Sequence, residues 1–114
     1  MRANTFSIPR CAAYDLTVFT GTAVFDILLP GDSRSRKAKR SYVRPIVAAL
    51  QRLSVCCAEV GALDLVGRAE LGVAVVSGEH SHVQEVLDSC EKLVAGRYEV
   101  ELLSVQRRVF GPQD

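Results

Sequence analysis

Apolar and polar residues alternate at the start of the chain with the spacing of a half-buried β-strand. The run Leu16–Leu29 is rich in threonine, valine and phenylalanine, and Pro30-Gly31 follows it as a turn. Period two places one set of side chains on the same face of a strand. That core-facing set is Phe19, Gly21, Ala23, Phe25, Ile27 and Leu29.

The next pattern has the spacing of an amphipathic helix and predicts one from about Ser35 to Leu53. Ser33 or Ser35 is suited to cap its beginning. Pro45 removes a backbone donor inside this segment, so either the helix bends there or its regular part begins later than the charged residues suggest; we expect a helix with a kink at Pro45. The apolar stripe consists of Val43, Ile46, Val47, Leu50 and Leu53.

The second half of the chain repeats the strand and helix patterns. Val55–Val60 and Arg68–Ser77 are predicted strands, and Tyr98–Val109 is a third. Between the last two, Ser81 and Gln84 form a possible capping box in front of a helix. Its apolar stripe is Val83, Val86, Leu87, Cys90, Leu93 and Val94.

The element order is therefore β-α-β-β-α-β. Right-handed crossovers and short connections fold this order into a four-stranded antiparallel sheet with both helices on one face. This is the α+β class with the ferredoxin-like arrangement. We expect a single domain over residues 16–110, a flexible N-terminal extension over residues 1–15 and a short C-terminal tail over residues 111–114.

Composition and charge limit the classes of function. The chain has 114 residues and a net charge of +1, which excludes a global field that would attract nucleic acid or membrane. It carries no secretory signal pattern and no apolar run long enough for a membrane span. The four cysteines form no C-x-x-C pair, so we expect reduced thiols in a cytoplasmic protein, with neither metal nor cofactor.

The positive charge is concentrated at the start of the first helix. Residues 34–44 hold six of the fourteen Lys and Arg residues and no acid. Cations in the first turn oppose the helix dipole, and like charges four residues apart repel. A solvated charged face is one interpretation, and a bound polyanion, which would relieve both penalties, is the other. The candidate nucleic-acid or anion-binding residues are Arg34, Arg36, Lys37, Lys39, Arg40 and Arg44.

Lys39 is an exception within this cluster, because it falls on the apolar arc of the helix. It must either extend its ammonium group to solvent or precede the regular helix.

Glu59 and Arg68 flank the connection between the second and third strands. We expect them to form a structural ion pair, since no third group or pocket accompanies them to make a catalytic site.

The sheet face away from the helices is a second candidate surface. Gly72, Ala74 and Val76 lie on it and would allow close approach of a second copy, so it favours a homodimer or a small-ligand regulatory domain. Coverage by the N-terminal extension is the alternative. The pattern places no aromatic residue on this face, which argues against a sheet surface on which RNA bases stack. His80 and His82 are expected to be surface or capping residues.

Several motifs together resemble the YlxP family, a small bacterial family of largely unknown function. They are PG at Pro30-Gly31, SRKAKR at Ser35–Arg40, AEVG at Ala58–Gly61 and DLVGRAELGVAVVS at Asp64–Ser77. The resemblance covers about residues 20–109 and implies a ferredoxin-like fold. It also implies an association with translation, and hence a non-catalytic module that binds RNA or the ribosome. Lys37, Lys39 and Arg40 match the family pattern, whereas Arg36 replaces its usual leucine.

An enzyme is not expected. Acylphosphatase is the natural comparison on this fold, but the only asparagine is Asn4, outside the predicted core, and the glycine-rich loop of that enzyme is absent. No nucleophile with a neighbouring base stands out elsewhere in the chain. The sequence leaves open which anion binds, how many copies associate and what residues 1–15 do.

Overall fold

The computed structural model describes residues 17–112. The predicted extension, residues 1–15, and residues 113–114 lie outside this range. All six predicted elements are present in the predicted order. They are β1 (Phe19–Leu28), α1 (Arg36–Gln51), β2 (Cys56–Gly61), β3 (Arg68–Ser77), α2 (His80–Ala95) and β4 (Glu101–Phe110).

The four strands form one antiparallel sheet in the order β2-β3-β1-β4. This confirms the ferredoxin-like α+β prediction, in which the two β-α-β halves interleave their strands. The register pairs Gly21 with Val75 and Ala58 with Gly72. Since directly paired residues point to the same side of a sheet, the register settles which side chains face the helices.

The core lies between the sheet and the two helices. On β1 and β3 every second residue is buried, as the period-two pattern predicts. Helix α1 packs against β2 and β3, and α2 packs against β1, β3 and β4. The largest fully buried side chains are Phe25, Ile27, Ile46, Leu50, Leu71, Val83, Leu87, Cys90 and Val94.

The first predicted helix is present as α1, Arg36–Gln51, with Pro45 inside it, and it contains the charged cluster from Arg36 onward. One local prediction changes in the structure. The predicted capping box of α2 is wrong, because the helix begins at His80 and its N-cap, Glu79, makes no side-chain cap hydrogen bond. The hydroxyl of Ser77 instead accepts a hydrogen bond from the Glu79 amide. Within residues 17–112 no helix is long and apolar enough to cross a membrane.

Gly21 marks the closest approach of α2 to the sheet. A Cβ atom built on this residue would lie 2.9 Å from Leu87 Cδ1 and closer still to Val83 Cγ1. Both side chains are fully buried, so neither can move away without disturbing the core. Glycine is therefore required here by packing rather than by backbone conformation.

Replacing Gly21 by alanine is expected to lower the free energy of unfolding by about 1–3 kcal/mol, because the added methyl group overpacks the helix–sheet contact. Gly31→Ala is the matched control, since nothing lies within 4 Å of a Cβ at that turn. Urea unfolding of both variants checks this. Equal stability of the two would contradict the close approach of α2.

Candidate functional site

The beginning of α1 is held in place by its cap. Ser35 has an extended backbone, and its hydroxyl accepts a hydrogen bond from the Ala38 amide at 3.0 Å. No acidic residue occurs in the first turn, which instead carries Arg36, Lys37 and Lys39. The sequence thus places cations at the positive end of the helix dipole, where acids are normally favoured.

Lys39 is buried and is bound within the protein, contrary to its predicted role as an anion-binding residue. Only 7% of its side chain is exposed. Its Nζ donates hydrogen bonds to the carbonyl oxygens of Ala62 at 2.8 Å and Leu65 at 2.7 Å. Neither predicted alternative holds, since the ammonium group does not reach solvent and the residue does not precede the helix.

The predicted ion pair between Glu59 and Arg68 does not form. Glu59 Oε2 lies 2.7 Å from Lys39 Nζ. This oxygen accepts no hydrogen bond of normal geometry from the described residues, so the contact is an ion pair. Arg68 instead binds both carboxylate oxygens of Asp26 across the open face of the sheet, at 3.2 and 2.5 Å. Asp26 raises the pKa of Arg68 through these hydrogen bonds and its charge.

The loop between β2 and β3 is therefore fastened to α1 at several points. Ser33, which is buried, donates its hydroxyl to the carbonyl oxygen of Val66 at 2.6 Å. With the two bonds from Lys39, three carbonyl oxygens of this loop, those of Ala62, Leu65 and Val66, accept hydrogen bonds from side chains of residues 33–39. Ala62 has a positive φ of 56° that turns the chain at the start of the loop. Leu63 and Leu65 remain more than half exposed on this fastened loop.

The other cations of the cluster lie on the solvent side of α1. Arg36 makes one long contact, 3.6 Å, with the exposed carboxylate of Asp64. Arg34 donates to the carbonyl oxygen of Gly31. Within residues 17–112, Lys37, Arg40 and Arg44 form no ion pair, so the structure leaves their charges unneutralised.

Two depressions flank this row of cations, and Arg40 borders both. We call the first the basic groove; it has a volume of about 520 Å³ and is lined by Lys37, Arg40, Ser41, Arg44 and Pro45. We call the second the Glu59 pocket; it has a volume of about 480 Å³ and lies between α1 and the end of β2. It is lined by Arg36, Lys39, Arg40, Val43, Glu59 and Leu63.

The open face of the sheet differs from the predicted one in two ways. A Cβ on Gly72 would lie 2.8 Å from Val60 Cγ1, so this glycine accommodates Val60 of the neighbouring strand rather than an outside partner. The register also places Phe110 beside Thr20, on the open face, with the guanidinium of Arg108 4.9 Å from the ring centre. The open face therefore has one aromatic residue, Phe110, that the sequence pattern did not predict there. Val76, by contrast, is exposed as predicted, at 67%.

The described cysteines and histidines form no centre of their own. Cys90 is buried, and burial raises the pKa of the Cys57 thiol to about 11. Cys56 is exposed at the edge strand. The ring of His80 packs edge-on against Phe19. In the part of the chain covered by residues 17–112, no three His, Cys, Asp or Glu side chains are placed to hold a metal ion.

Comparison with known proteins places the chain in a family. A family model described as "Protein of unknown function (DUF503)" matches residues 20–107. This range includes all six elements except the first residue of β1 and the last three residues of β4. The chain belongs to this family. The description of this family names no function. The resemblance to the YlxP family, which rests on the sequence motifs, stays a prediction. The matched segment contains α1, the fastened loop and both depressions.

Other comparisons add little to the DUF503 assignment. No curated protein matches the chain. Among solved structures, the chain is similar to one titled "De novo designed protein Foldit4", with 11% identity and a TM-score of 0.43. The alignment covers 82% of this chain and 96% of that one. A likeness of this extent carries no argument about function.

Lys39→Met is expected to lower the free energy of unfolding by about 3–5 kcal/mol, because it leaves Glu59 without its cation and two loop carbonyls without a donor. The matched control is Lys37→Met, two residues earlier in the same helix turn and without a partner, which is expected to change stability by about 0.5 kcal/mol or less. Chemical unfolding of both variants measures the difference. Similar stabilities would show that Lys39 is not a structural cation.

Proposed function

We propose that this DUF503 protein is a non-catalytic module that binds RNA through the exposed face of α1. The observation that carries the proposal is the basic groove, where three cations lie together without an ion-pair partner among the described residues. Folded proteins normally intersperse surface charges of both signs. A cluster that the fold leaves unneutralised, within a chain of net charge +1, is suited to an external polyanion.

The position of the cations strengthens this proposal. Arg36, Arg40 and Arg44 follow one another at intervals of four residues, so each repels the next along the helix. Those in the first turn also oppose the helix dipole, at roughly 0.3–1 kcal/mol each. A bound row of phosphates would offset both terms. Within the described residues Arg36 contacts Asp64 and Lys39 pairs with Glu59, but Lys37, Arg40 and Arg44 have no ion pair, which favours a ligand at these three cations.

The dimensions favour a polymer over a single small anion. Arg36 and Arg44 are eight residues apart, which corresponds to about 12 Å along the axis of a helix. One phosphate cannot contact both ends of such a row, whereas consecutive phosphates of a nucleic-acid strand can. The ribosome is the specific candidate suggested by the YlxP resemblance, since that resemblance implies an association with translation.

Binding without chemistry is part of the proposal. The only hydroxyl that lines the basic groove, that of Ser41, donates to the carbonyl oxygen of Ala38 within its own helix at 2.6 Å. The remaining lining groups are cations and Pro45. Cations of this kind hold and orient phosphates but do not attack them.

The decisive test is a triple charge reversal, Lys37→Glu with Arg40→Glu and Arg44→Glu. We expect it to abolish binding to ribosomal RNA fragments, and we expect the unmodified protein to lose affinity steeply with salt, with a log–log slope of about −0.7 to −0.9 per phosphate contacted. Lys39 is left unchanged, because its reversal would unfold the protein and imitate a loss of binding.

The matched control reverses two cations away from α1, Lys92→Glu and Arg108→Glu, and it is expected to retain binding. Fluorescence anisotropy and ribosome co-sedimentation at low and high salt provide the measurement. Unchanged affinity of the triple variant, with folding verified by circular dichroism, would contradict the proposal.

Self-association through the open sheet face is the second candidate. Val60 and Val76 are each more than half exposed on this face, and Ala74 lies on the same face. We call these three residues the apolar strip. Asp26 and Arg68 pair with each other at one end of this face, beside Glu70, which makes no ion pair with the described residues. The apolar residues, away from this charged end, are the part that a second copy would cover.

Ala74→Glu is expected to convert a dimer to a monomer, because it places an unpaired carboxylate in the middle of the apolar strip. The control is Glu85→Ala, on the exposed side of α2, which should leave the dimer intact. Sedimentation velocity over a range of protein concentrations measures the association. A strict monomer in the unmodified protein would contradict this second candidate.

A further inference from the structure

The Glu59 pocket contains a carboxylate whose hydrogen-bonding capacity the protein does not use. Glu59 Oε2 is buried beside Lys39 in the ion pair, so only Oε1 is left for a ligand, and Oε1 accepts no hydrogen bond from the described residues. The side chain is 27% exposed, and it lines the pocket. A carboxylate oxygen can accept two hydrogen bonds, so Oε1 can accept from a ligand that displaces water there.

Two apolar side chains, Val43 and Leu63, also line the pocket and are held in position. Val43 belongs to the buried stripe of α1, and Leu63 projects from the loop that Lys39 fastens on either side, at Ala62 and Leu65. Leu63 is 58% exposed despite this restraint. An exposed leucine that cannot fold back into the core forms a preorganised apolar surface for a ligand. Such an apolar surface is suited to contact a flat aromatic group.

The rim of the pocket is cationic. Arg36 and Arg40 border it, and Arg40 also borders the basic groove. The volume of about 480 Å³ lies within the usual range of small-molecule sites, roughly 300–1,000 Å³. The pocket therefore combines a hydrogen-bond acceptor, apolar walls and cations at its mouth. These are the features that bind a nucleobase while its phosphate stays outside.

We propose that the Glu59 pocket holds one unstacked guanine base of the RNA that the basic groove binds, an inference that rests on the proposed function. Among the four bases, guanine presents two neighbouring donors, N1–H and the 2-amino group, on its pairing edge. Glu59 Oε1 can accept from both of these groups, whereas no other base has two neighbouring donor groups on its pairing edge. Recognition of splayed-out single-stranded bases is the usual mode of sequence-specific RNA binding. Phosphate contacts position the strand, and Glu59 reads the base.

The test uses short uridine oligonucleotides that contain one guanine, one adenine, one cytosine or no substitution. The unmodified protein is expected to bind the single-guanine strand about tenfold more tightly than the uridine-only strand, a typical discrimination for a good base contact. Glu59→Gln should reduce this preference to less than about twofold while uridine-only binding is retained. Because Glu59 also pairs with Lys39, the fold of this variant is checked by thermal unfolding.

A second variant keeps the inference testable if Glu59→Gln is unstable. Leu63→Ser removes one wall of the pocket and should weaken only the guanine-containing strand. The matched control is Leu65→Ser, on the same loop and similarly exposed, but outside the pocket lining. The two leucines thus separate an effect of the pocket from an effect of the loop.

Each outcome distinguishes this inference from the proposed function. Binding of all four strands with equal affinity would overturn the guanine site and leave RNA binding intact. A guanine preference unaffected by both pocket variants would also overturn it. Binding of none of the strands, together with Glu59-dependent binding of guanosine monophosphate, would support the guanine assignment and overturn RNA as its source. Binding of neither strands nor nucleotide would overturn both.

Discussion

The buried ammonium group of Lys39 is the interaction on which the candidate site depends. A lysine with 7% of its side chain exposed must find strong partners, because the free energy cost of removing its charge from water is several kcal/mol. Two carbonyl oxygens and one carboxylate provide them here. These acceptors belong to β2 and to the loop that follows it, so one charge determines how α1, β2 and that loop are arranged. The shape of the Glu59 pocket follows from the same three contacts.

The helix therefore separates two kinds of cation that are neighbours in sequence. Lys39 lies with Val43, Ile46 and Leu50 on the buried side of α1, whereas Lys37 and Arg40 lie on its exposed side. A shift of one or two positions along a helix turns a side chain through about 100–200°. This rotation is enough to bury the charge of Lys39 and leave the charges of Lys37 and Arg40 exposed. One member of the cluster, Lys39, therefore stabilises the fold.

Local patterns predicted the fold well because burial of one face is a local signal. The period-two strands and the helical stripes identified all six elements, and β3 was predicted with its observed limits. Contacts between distant residues were not predictable in this way. The acceptors of Lys39 lie 23 and 26 residues away and are backbone carbonyls, which carry no sequence signature. The placement of Lys39 on the apolar arc was the available signal that it would be buried.

The same limit explains the incorrect ion pair and the missed aromatic. Glu59 and Arg68 are close in sequence, but β2 and β3 direct their side chains to opposite faces of the sheet, so Glu59 meets α1 and Arg68 meets Asp26. Phe110 was not assigned to the open face because the predicted fourth strand ended at Val109, whereas β4 continues to Phe110 and pairs it with Thr20.

Arg40 borders both depressions and so links the two parts of the proposed RNA site. Its side chain borders the basic groove on one side of α1 and the Glu59 pocket on the other. A phosphate held near Arg40 would bring the attached nucleotide to the mouth of the pocket, so the two depressions suit the two parts of a single nucleotide. Because the walls are fixed by Lys39 and Ser33, little ordering of the protein would oppose binding there. A structural lysine, rather than the exposed arginines alone, would then account for base selectivity in an otherwise electrostatic interaction.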